Sequence, residues 1–369
     1  MNYEYGLMII WEKARDKESQ IIEDLKTRFT IRNVVYTTWN KEIFSVNLTR
    51  FYGENLPKNS FKEKHCGNGT FTVIILIDKD PLYAWRPTSH GKEYVNVNFF
   101  DTKELYRKWT GQHRIHCTNG DREFRHDLMM LFGRNSDDFF SEYKAGEVFS
   151  YDKDVIGNLK WETLKQVFYV LNETAEYVVL RNFDNLPEEI ALGEHSDLDI
   201  LCKNEYNSAT ILNAIKLQPC KNRAKYRINV GNSFINIDLR HPGDDYYDSM
   251  WENDILNSRE KHRGFYIPGV ENYKYSLLYH ALVQKTRIAD NYRALFRKWF
   301  GEQSNIDSLF ETLKNYLDSK SYKIVPPKDY SVYFNEKLCG IKGNIKQKIY
   351  FKLYPGVALI NKLSLKPRV

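Results

Sequence analysis

Apolar and polar positions in the first third of the chain follow two periods, one of two residues and one of about 3.6. Strands are predicted where β-branched and aromatic residues cluster, at 5–11, 31–39 and 71–78. Helical spacing predicts helices at 17–28, 41–52 and 102–110. A short strand, IHCTN, and an amphipathic helix, DREFRHDLMMLFG, come next. This alternation predicts a split-βαβ, ferredoxin-like sheet with helices on one face.

The same two periods return after a polar stretch, 135–157, that has no strong periodicity. Strands are predicted there at 177–182, 197–202, 224–230 and 233–239, and helices at 161–174, 207–217, 272–286 and 305–319. These patterns predict an α+β protein with four segments: a first domain at 1–134, a linker at 135–157, a second domain at 158–300, and a helical, basic extension at 301–369.

Length and composition exclude several classes of protein. A chain of 369 residues that is 42% hydrophobic and 15% aromatic can build more than one packed core. The net charge of +6 is a mild excess without a basic stripe, so we expect no nucleic-acid partner. No run approaches the ~20 apolar residues of a spanning helix, and the first residues lack a signal-peptide pattern. Five dispersed cysteines indicate a reducing compartment, so we expect a soluble, cytoplasmic protein.

A pair of aspartates lies in the predicted strand SDLDILC. Because strand side chains alternate, Asp197 and Asp199 point to the same side, where two nearby carboxylates repel unless a cation joins them. A third acid, Asp238, lies in the apolar run FINIDLR, where an unpaired carboxylate is costly to bury. Oxygen-only ligands suit a hard divalent cation. The pattern predicts a Mg²⁺ or Mn²⁺ site at the three aspartates. The alternative is that the Asp-x-Asp pair lies in a turn or a solvated edge strand.

Two aspartates on one strand and a third on a neighbouring strand resemble the polymerase-β-like nucleotidyltransferase superfamily. The resemblance implies that the first pair holds the metal and that the third helps to activate the attacking group. It also implies a phosphate cradle, at Arg181 and Asn182 or at Gly193 and Ser196, in place of the family's usual Gly-Ser pair. The segments LRNFDNLPEE and SDLDILC look like nucleotidyltransferases of surface-polysaccharide biosynthesis.

The stretch HRIHCTNGDREFRHDLMMLF resembles the catalytic segment of nucleoside diphosphate kinases, where a histidine on a strand precedes a polar turn and a helix. The resemblance implies a kinase-type fold for the first domain, with His116 as the phosphorylated histidine and Asp127 as the carboxylate that orients its ring. A carboxylate on one ring nitrogen leaves the other as nucleophile. The nucleotide-binding residues that the resemblance implies are Lys13, Tyr52, Phe61, Arg86 and Thr118, with Thr88 and Arg107 as further phosphate-binding candidates. The alternative is a retained fold in which His116 is a structural or interface residue.

Two features near the end of the chain add candidate contacts. On the predicted helix 272–286, Lys274, His280 and Lys285 are candidates for phosphate binding, although a hydrogen-bonded histidine and two solvated lysines are the favoured interpretation. From residue 336 onward, eight Lys or Arg residues stand against one acid and alternate with aromatic and aliphatic residues. This composition is typical either of weak adsorption to an anionic membrane surface or of a solvated tail that packs one apolar stripe.

These features together predict a metal-dependent nucleotidyl- or phosphoryl-transfer enzyme. The expected donor is a nucleoside triphosphate or another nucleotide-activated compound, and the expected acceptor is a sugar, an alditol phosphate or a surface-glycan precursor. Transfer of an alditol phosphate from a cytidine-activated donor is a related alternative. The first domain would bind or phosphorylate a nucleotide or a phosphorylated sugar. From a different class, the alternative is a non-catalytic nucleotide-sensing or assembly module of a glycan-biosynthesis complex.

Overall fold

The computed structural model of the protein describes residues 3–89, 91–188, 197–217, 225–301 and 305–353. The chain divides into two compact units, Met1–Leu159 and Lys160–Val369, and each combines β-sheet with helices. The mixed α+β class predicted from the sequence is confirmed. Within the described ranges, none of the helices has both the length and the apolar character needed to cross a membrane.

The first unit alternates strands with short helices. Its strands are β1 (Glu4–Ile10), β2 (Thr30–Thr37), β3 (Phe71–Asp78), β4 (Tyr83–Thr88), β5 (Gly91–Asn96), β6 (Ile115–Cys117) and β7 (Val148–Ser150). Its α-helices are α1 (Glu18–Arg28), α2 (Phe44–Tyr52), α3 (Phe61–Cys66), α4 (Val97–Thr110), α5 (Asp121–Phe132) and α6 (Ser136–Glu142). Short 3-10 helices cover Glu12–Lys17, Lys41–Ile43 and Gln112–Arg114.

The main sheet of the first unit has the strand order β6-β1-β3-β2-β7. The central strand β3 pairs with β1 and β2 in antiparallel fashion, and its run FTVIILID is buried at every position but one. Such a continuous apolar run is expected for a strand that is covered on both faces. At the other side of β1, the short strand β6 is antiparallel to it and sets His116 opposite Ile9. The histidine therefore lies on a strand that is anchored to the centre of the sheet.

The stretch 135–157, which the polar composition predicts to be a linker, folds as part of the first unit. It contains α6 and the edge strand β7, which runs parallel to β2 with Val148 beside Val34. The amide of Asn33, which is 1% exposed, donates hydrogen bonds to the backbone oxygens of Lys144 and Glu147. Apolar contacts add to these: Phe139 of α6 is buried, and its ring centroid lies 5.0 Å from that of Phe132.

The second unit contains a second five-stranded sheet and most of the longer helices. Its strands are β8 (Tyr177–Val179), β9 (Asp197–Cys202), β10 (Ile215–Lys216), β11 (Lys225–Val230), β12 (Ser233–Arg240), β13 (Glu260–His262) and β14 (Phe265–Ile267). Its helices are α7 (Leu164–Thr174), α8 (Glu205–Ile211), α9 (Ser249–Asn257), α10 (Val270–Val283), α11 (Asp290–Phe300), α12 (Ile306–Ser319), α13 (Glu336–Cys339) and α14 (Ile345–Leu353).

The sheet of the second unit has the order β10-β11-β12-β9-β8, in which β12 and β9 are parallel and the other neighbours are antiparallel. A helical core lies beside it, where Trp251 of α9, Leu278 of α10 and Leu313 of α12 belong to one buried cluster. Helix α12 therefore completes this core, and residues 306–319 are not a separate extension as the segment boundary at 300 predicts.

Candidate functional site

The three aspartates lie on one face of the second unit's sheet because two parallel strands pair there. In the ladder between β9 and β12, Asp199 stands beside Asp238, and Asp197 stands beside Asn236. Side chains two residues apart on a strand share a face, and register neighbours on adjacent strands do so as well. The structure therefore places all three carboxylates on one face of the sheet, with Asp199 and Asp238 as direct neighbours.

Two of the three aspartates are paired with basic side chains of the same unit. An Oδ1 atom of Asp199 lies 2.6 Å from Nη2 of Arg181, which also donates a hydrogen bond of 2.9 Å to the hydroxyl of Tyr246. Arg181 and Asp199 are 7% and 9% exposed. An Oδ2 atom of Asp197 lies 2.7 Å from Nζ of Lys225. Because a charge buried without a partner is very costly, these ion pairs offset much of the cost of placing the two carboxylates inside the protein.

Asp238 has the least compensated carboxylate of the three. Its Oδ2 lies 3.8 Å from Nη2 of Arg240, and no hydrogen-bond donor among the described residues reaches its buried Oδ1. Burial raises the pKa of Asp238 to about 6, against the lowering effect of Arg240, and the neighbouring charge of Asp199 adds to the rise. A buried carboxylate oxygen without a donor is an unsatisfied hydrogen-bond acceptor, and coordination to a hard cation could satisfy it.

Replacing Asp238 by Asn should stabilise the metal-free protein, and more so at alkaline pH. The pKa of about 6 in the folded state exceeds the ~3.9 of an unfolded aspartate, so ionisation costs stability as the pH rises through this window. In a chelator, Asp238→Asn should raise the free energy of unfolding by about 1–3 kcal/mol at pH 8 and by less than ~1 kcal/mol at pH 4.5. Urea titrations at both pH values measure this difference.

The matched control is Asp318→Asn, because Asp318 is an exposed aspartate in the last turn of α12. Its effect should stay within ~0.5 kcal/mol at both pH values. A gain for Asp238→Asn that is the same at pH 8 and pH 4.5 would show that the Asp238 charge is not the source of the cost.

Lys285 belongs to the surroundings of the aspartates, contrary to the interpretation of this residue as a solvated lysine. It follows the end of α10 and is half-buried. Burial and the charge of Arg181 lower the pKa of Lys285, whereas Asp199, Asp238 and Asp197 act in the opposite direction. The ammonium group is thus close enough to the carboxylates to interact with them. The sequence predicts Lys285 as a candidate for phosphate binding but gives no sign that it lies near the aspartates.

His280 is a hydrogen-bonded core residue, as the favoured interpretation of the sequence had it. It is 5% exposed, and its Nδ1 lies 3.1 Å from the hydroxyl of Tyr246 and 3.1 Å from Oε1 of Gln284. Because Tyr246 also accepts from Arg181, His280 supports the arginine that pairs with Asp199. Ser196 and Gly193, the other candidates for a phosphate cradle, lie outside the described residues.

A second candidate site surrounds His116 in the first unit. Its Nε2 lies 2.6 Å from Oδ2 of Asp127 on α5, and the two residues are 7% and 2% exposed. The second oxygen of Asp127 lies 3.0 Å from Nδ1 of His126. Although burial acts to raise it, the pKa of Asp127 is lowered by His116 and His126. The structure therefore brings together the histidine and the carboxylate that the kinase resemblance pairs.

Glu123 joins this site, and the sequence reasoning missed it. Its Oε1 lies 3.9 Å from Nε2 of His116, and its Oε2 accepts a hydrogen bond of 2.7 Å from the backbone N–H of Asn119. His116, Glu123 and Asp127 each have one atom that could coordinate a metal ion. In the part of the chain that the structure describes, they form the group in which all three such atoms lie within 4.8 Å of one another. Glu123 and Asp127 are four residues apart on a predicted helix, which was the available signal, since such residues share a helix face.

Aromatic and basic side chains border His116. The rings of Phe51 and Tyr52 meet the imidazole edge-on, each at a centroid distance of 5.5 Å. Nζ of Lys62 lies 4.0 Å from the centroid of the Tyr52 ring. Burial and the charges of Lys62 and Arg107 lower the pKa of His113, so these basic groups lie close together. Sequence reasoning found Tyr52 and Arg107 and missed Lys62.

The other residues that the kinase resemblance implies are placed in different ways. Phe61 is 61% exposed, and its ring lies 4.0 Å from the His65 ring and 5.9 Å from the His113 ring, measured between centroids. Lys13 is exposed in the 3-10 helix after β1. The buried hydroxyl of Thr118 accepts a hydrogen bond of 3.0 Å from the backbone N–H of Leu7. Arg86 lies on the β4–β5 hairpin, where it forms an ion pair with Asp101. Thr118 and Arg86 are therefore both engaged in contacts of the fold.

Comparison with known proteins gives a limited result. No protein-family model and no curated protein matches the chain. Among solved structures, a nucleoside diphosphate kinase of Aquifex aeolicus, in an orthorhombic crystal form, is similar to part of it. The match has 14% sequence identity and a TM-score of 0.26, and it covers 37% of this chain and 99% of the kinase. The chain is not assigned to a family by these similarities.

Proposed function

We propose that the second unit is a metal-dependent nucleotidyl- or phosphoryl-transfer enzyme whose centre is formed by Asp197, Asp199 and Asp238. The observation that carries the proposal is the pairing of Asp199 and Asp238 in register on one face of the sheet, with a buried Asp238 oxygen that no donor among the described residues reaches. A carboxylate kept at this cost calls for a role outside folding, since a neutral side chain would be cheaper to bury.

The donor set suits Mg²⁺ or Mn²⁺ because it consists of carboxylate oxygens only. Asp197, Asp199 and Asp238 would hold the ion, which when bound neutralises the charge that develops on a phosphoryl group. Arg181 and Lys225 now supply the positive charge at two of these acids. A bound cation would therefore break the ion pair of Arg181, of Lys225, or of both. The freed basic side chains could then contact an anionic substrate.

The remaining groups can serve the reaction directly. In the metal-free protein, burial raises the pKa of Asp238 to about 6. Its Oδ1, which no donor among the described residues reaches, is the oxygen that would take the proton of an acceptor hydroxyl. The hydroxyl oxygen would then form a bond to the α-phosphorus of a nucleoside triphosphate, while the bond from that phosphorus to the bridging oxygen breaks and pyrophosphate leaves. Arg181 and Lys285 lie close to the acids and can offset the charge of the donor's phosphates.

The acceptor class in this proposal is a sugar, an alditol phosphate or a surface-glycan precursor. It rests on the resemblance of LRNFDNLPEE and SDLDILC to nucleotidyltransferases of polysaccharide biosynthesis, and on the presence of basic groups that suit a phosphorylated substrate. Transfer of an alditol phosphate from a cytidine-activated donor would use the same carboxylates, because it also breaks a bond within a nucleotide diphosphate.

Isothermal titration with Mg²⁺ and with Mn²⁺, each alone and then with nucleoside triphosphates or a cytidine-activated alditol, tests the proposal. We expect the wild type to bind the metal and the variants Asp197→Asn, Asp199→Asn and Asp238→Asn each to lose roughly tenfold or more in affinity. The exposed Asp318→Asn variant should bind as the wild type does. Equal binding by wild type and by all three variants would overturn the metal centre. Binding of metal and nucleotide without turnover of any donor would favour the non-catalytic, nucleotide-sensing alternative.

A second candidate function belongs to the first unit, where a phosphohistidine or nucleotide-binding role is supported by the 2.6 Å contact between His116 and Asp127. A carboxylate on Nε2 fixes the tautomer and leaves Nδ1 as the nucleophile. The positive charges of Lys62 and Arg107 nearby suit a phosphate-bearing ligand. Phosphorylation of His116 is one of the two predictions argued in the Discussion.

A further inference from the structure

The helix α14 (Ile345–Leu353) presents an apolar stripe to solvent. Ile345, Ile349 and Leu353 are 71%, 52% and 68% exposed. Each step of four residues advances by about 40° around a helix, so the three side chains lie within an arc of about 80°. Ile341, one further step before the helix, is 38% exposed as well. Exposed aliphatic residues at consecutive steps of four form a continuous stripe, unlike the scattered apolar residues that are normal on a protein surface.

The opposite side of the same helix is anchored to the second unit. Gln347 is 4% exposed and donates a hydrogen bond to the backbone oxygen of Val332. The rings of Tyr350 and Phe351 lie 5.3 Å and 6.0 Å from those of Tyr330 and Tyr333. These contacts fix the rotation of the helix, so the apolar stripe faces away from the segment that holds it.

Lysines border the stripe on both sides. Around the helix, Lys352 lies about 20° before Ile345, and Lys346 lies about 20° beyond Leu353. Lys348 is on the side of Lys352, where it also pairs with Glu336 at 2.8 Å. The helix sequence IKQKIYFKL contains no acid. An apolar stripe between two rows of positive charge is the arrangement of helices that lie in the plane of a membrane surface.

We infer that α14 docks the protein on an anionic lipid surface, with Ile345, Ile349 and Leu353 inserted at the boundary of the acyl chains and the lysines at the headgroups. Charge complementarity selects this occupant, because the lysines on both borders suit anionic phosphates. The apolar stripe favours lipid over nucleic acid as the binding partner, because a nucleic-acid backbone offers phosphates but no apolar layer for three aliphatic side chains. This inference is independent of the proposed catalytic activity.

Co-sedimentation of the full-length protein with vesicles tests the inference. Vesicles of phosphatidylcholine mixed with phosphatidylglycerol should bind the protein at low ionic strength, and pure phosphatidylcholine vesicles should bind it weakly. The Ile349→Asp variant should reduce the partition coefficient by roughly tenfold or more, because it removes an apolar side chain and adds a negative charge. Ile306→Asp is the matched control, since Ile306 is 50% exposed at the start of another helix of the same unit.

Charge-reversal variants test the contribution of the lysines to vesicle binding. Lys346→Glu and Lys352→Glu should each reduce binding to anionic vesicles by about fivefold or more, whereas Lys314→Glu on α12 should not. Binding should also fall as salt is raised to about 1 M, where charges are screened within about 3 Å. Absence of binding to anionic vesicles, or binding that Ile349→Asp leaves unchanged, would overturn the inference. A dimer on gel filtration that Ile349→Asp dissociates would assign the stripe to a contact between copies of the chain instead.

Discussion

Replacement of Arg181 by methionine is expected to destabilise the second unit by about 3–5 kcal/mol in the absence of divalent cations. Arg181 is buried and supplies the 2.6 Å partner of Asp199, so its loss leaves a buried carboxylate without compensation. If Asp199 also belongs to a metal site, Mg²⁺ should replace the missing positive charge. A saturating concentration, about 100 times the dissociation constant, should then restore about 2–3 kcal/mol. Urea unfolding with chelator and with Mg²⁺ measures both effects.

Two further variants distinguish cation binding at Asp199 from a general effect of removing an arginine. Arg293→Met removes an arginine whose side chain is 51% exposed and whose carboxylate neighbour is 3.7 Å away, so it should cost less than ~1 kcal/mol with or without Mg²⁺. The double variant Arg181→Met with Asp199→Leu removes both buried charges and should recover most of the stability that the single variant loses, without a response to Mg²⁺. A Mg²⁺ response in the double variant, or none in Arg181→Met, would argue against cation binding at Asp199.

Incubation with a γ-labelled nucleoside triphosphate is expected to label the wild-type protein at His116 and to leave His116→Ala unlabelled. In this reaction, Nδ1 of the imidazole forms a bond to the γ-phosphorus, and the bond from that phosphorus to the β-phosphate oxygen breaks as the nucleoside diphosphate leaves. Asp127 holds the other nitrogen at 2.6 Å. Asp127→Asn should therefore slow labelling by roughly 100- to 10,000-fold, because the ring is no longer held in the reactive tautomer.

The stability of the label in acid and in alkali shows which type of residue carries the phosphoryl group. Phosphohistidine is labile in acid, so the label should disappear on acid treatment and survive in alkali. The control His241→Ala alters another histidine with a carboxylate neighbour, since Nε2 of His241 lies 3.6 Å from Glu205, and it should label as the wild type does. Label that survives acid, or that persists in His116→Ala, would show that His116 is not the phosphorylated residue.

How far the sequence predicts the fold depends on the strength of each local pattern. The run FTVIILID predicts β3 with its observed bounds, and DREFRHDLMMLFG predicts α5 to within a residue, because each has a clear period or a continuous apolar run. The β4–β5 hairpin at 83–96 and the strand β7 went unpredicted. Their side chains are largely exposed or polar, and the backbone pairing that defines them leaves no signal in side-chain hydrophobicity.

The shared side of Asp197 and Asp199 follows from the sequence alone, since alternation along a strand is a property of the local backbone. The same holds for Glu123 and Asp127, which are one helical turn apart, and for the apolar spacing in α14. Tertiary structure decided the rest. Strand pairing set Asp238 beside Asp199, and folding brought Arg181 to that carboxylate. Contacts with residues 330–333 turned the stripe of α14 outward. Local periodicity specifies which side chains share a face, whereas only the packing of distant segments determines what that face meets.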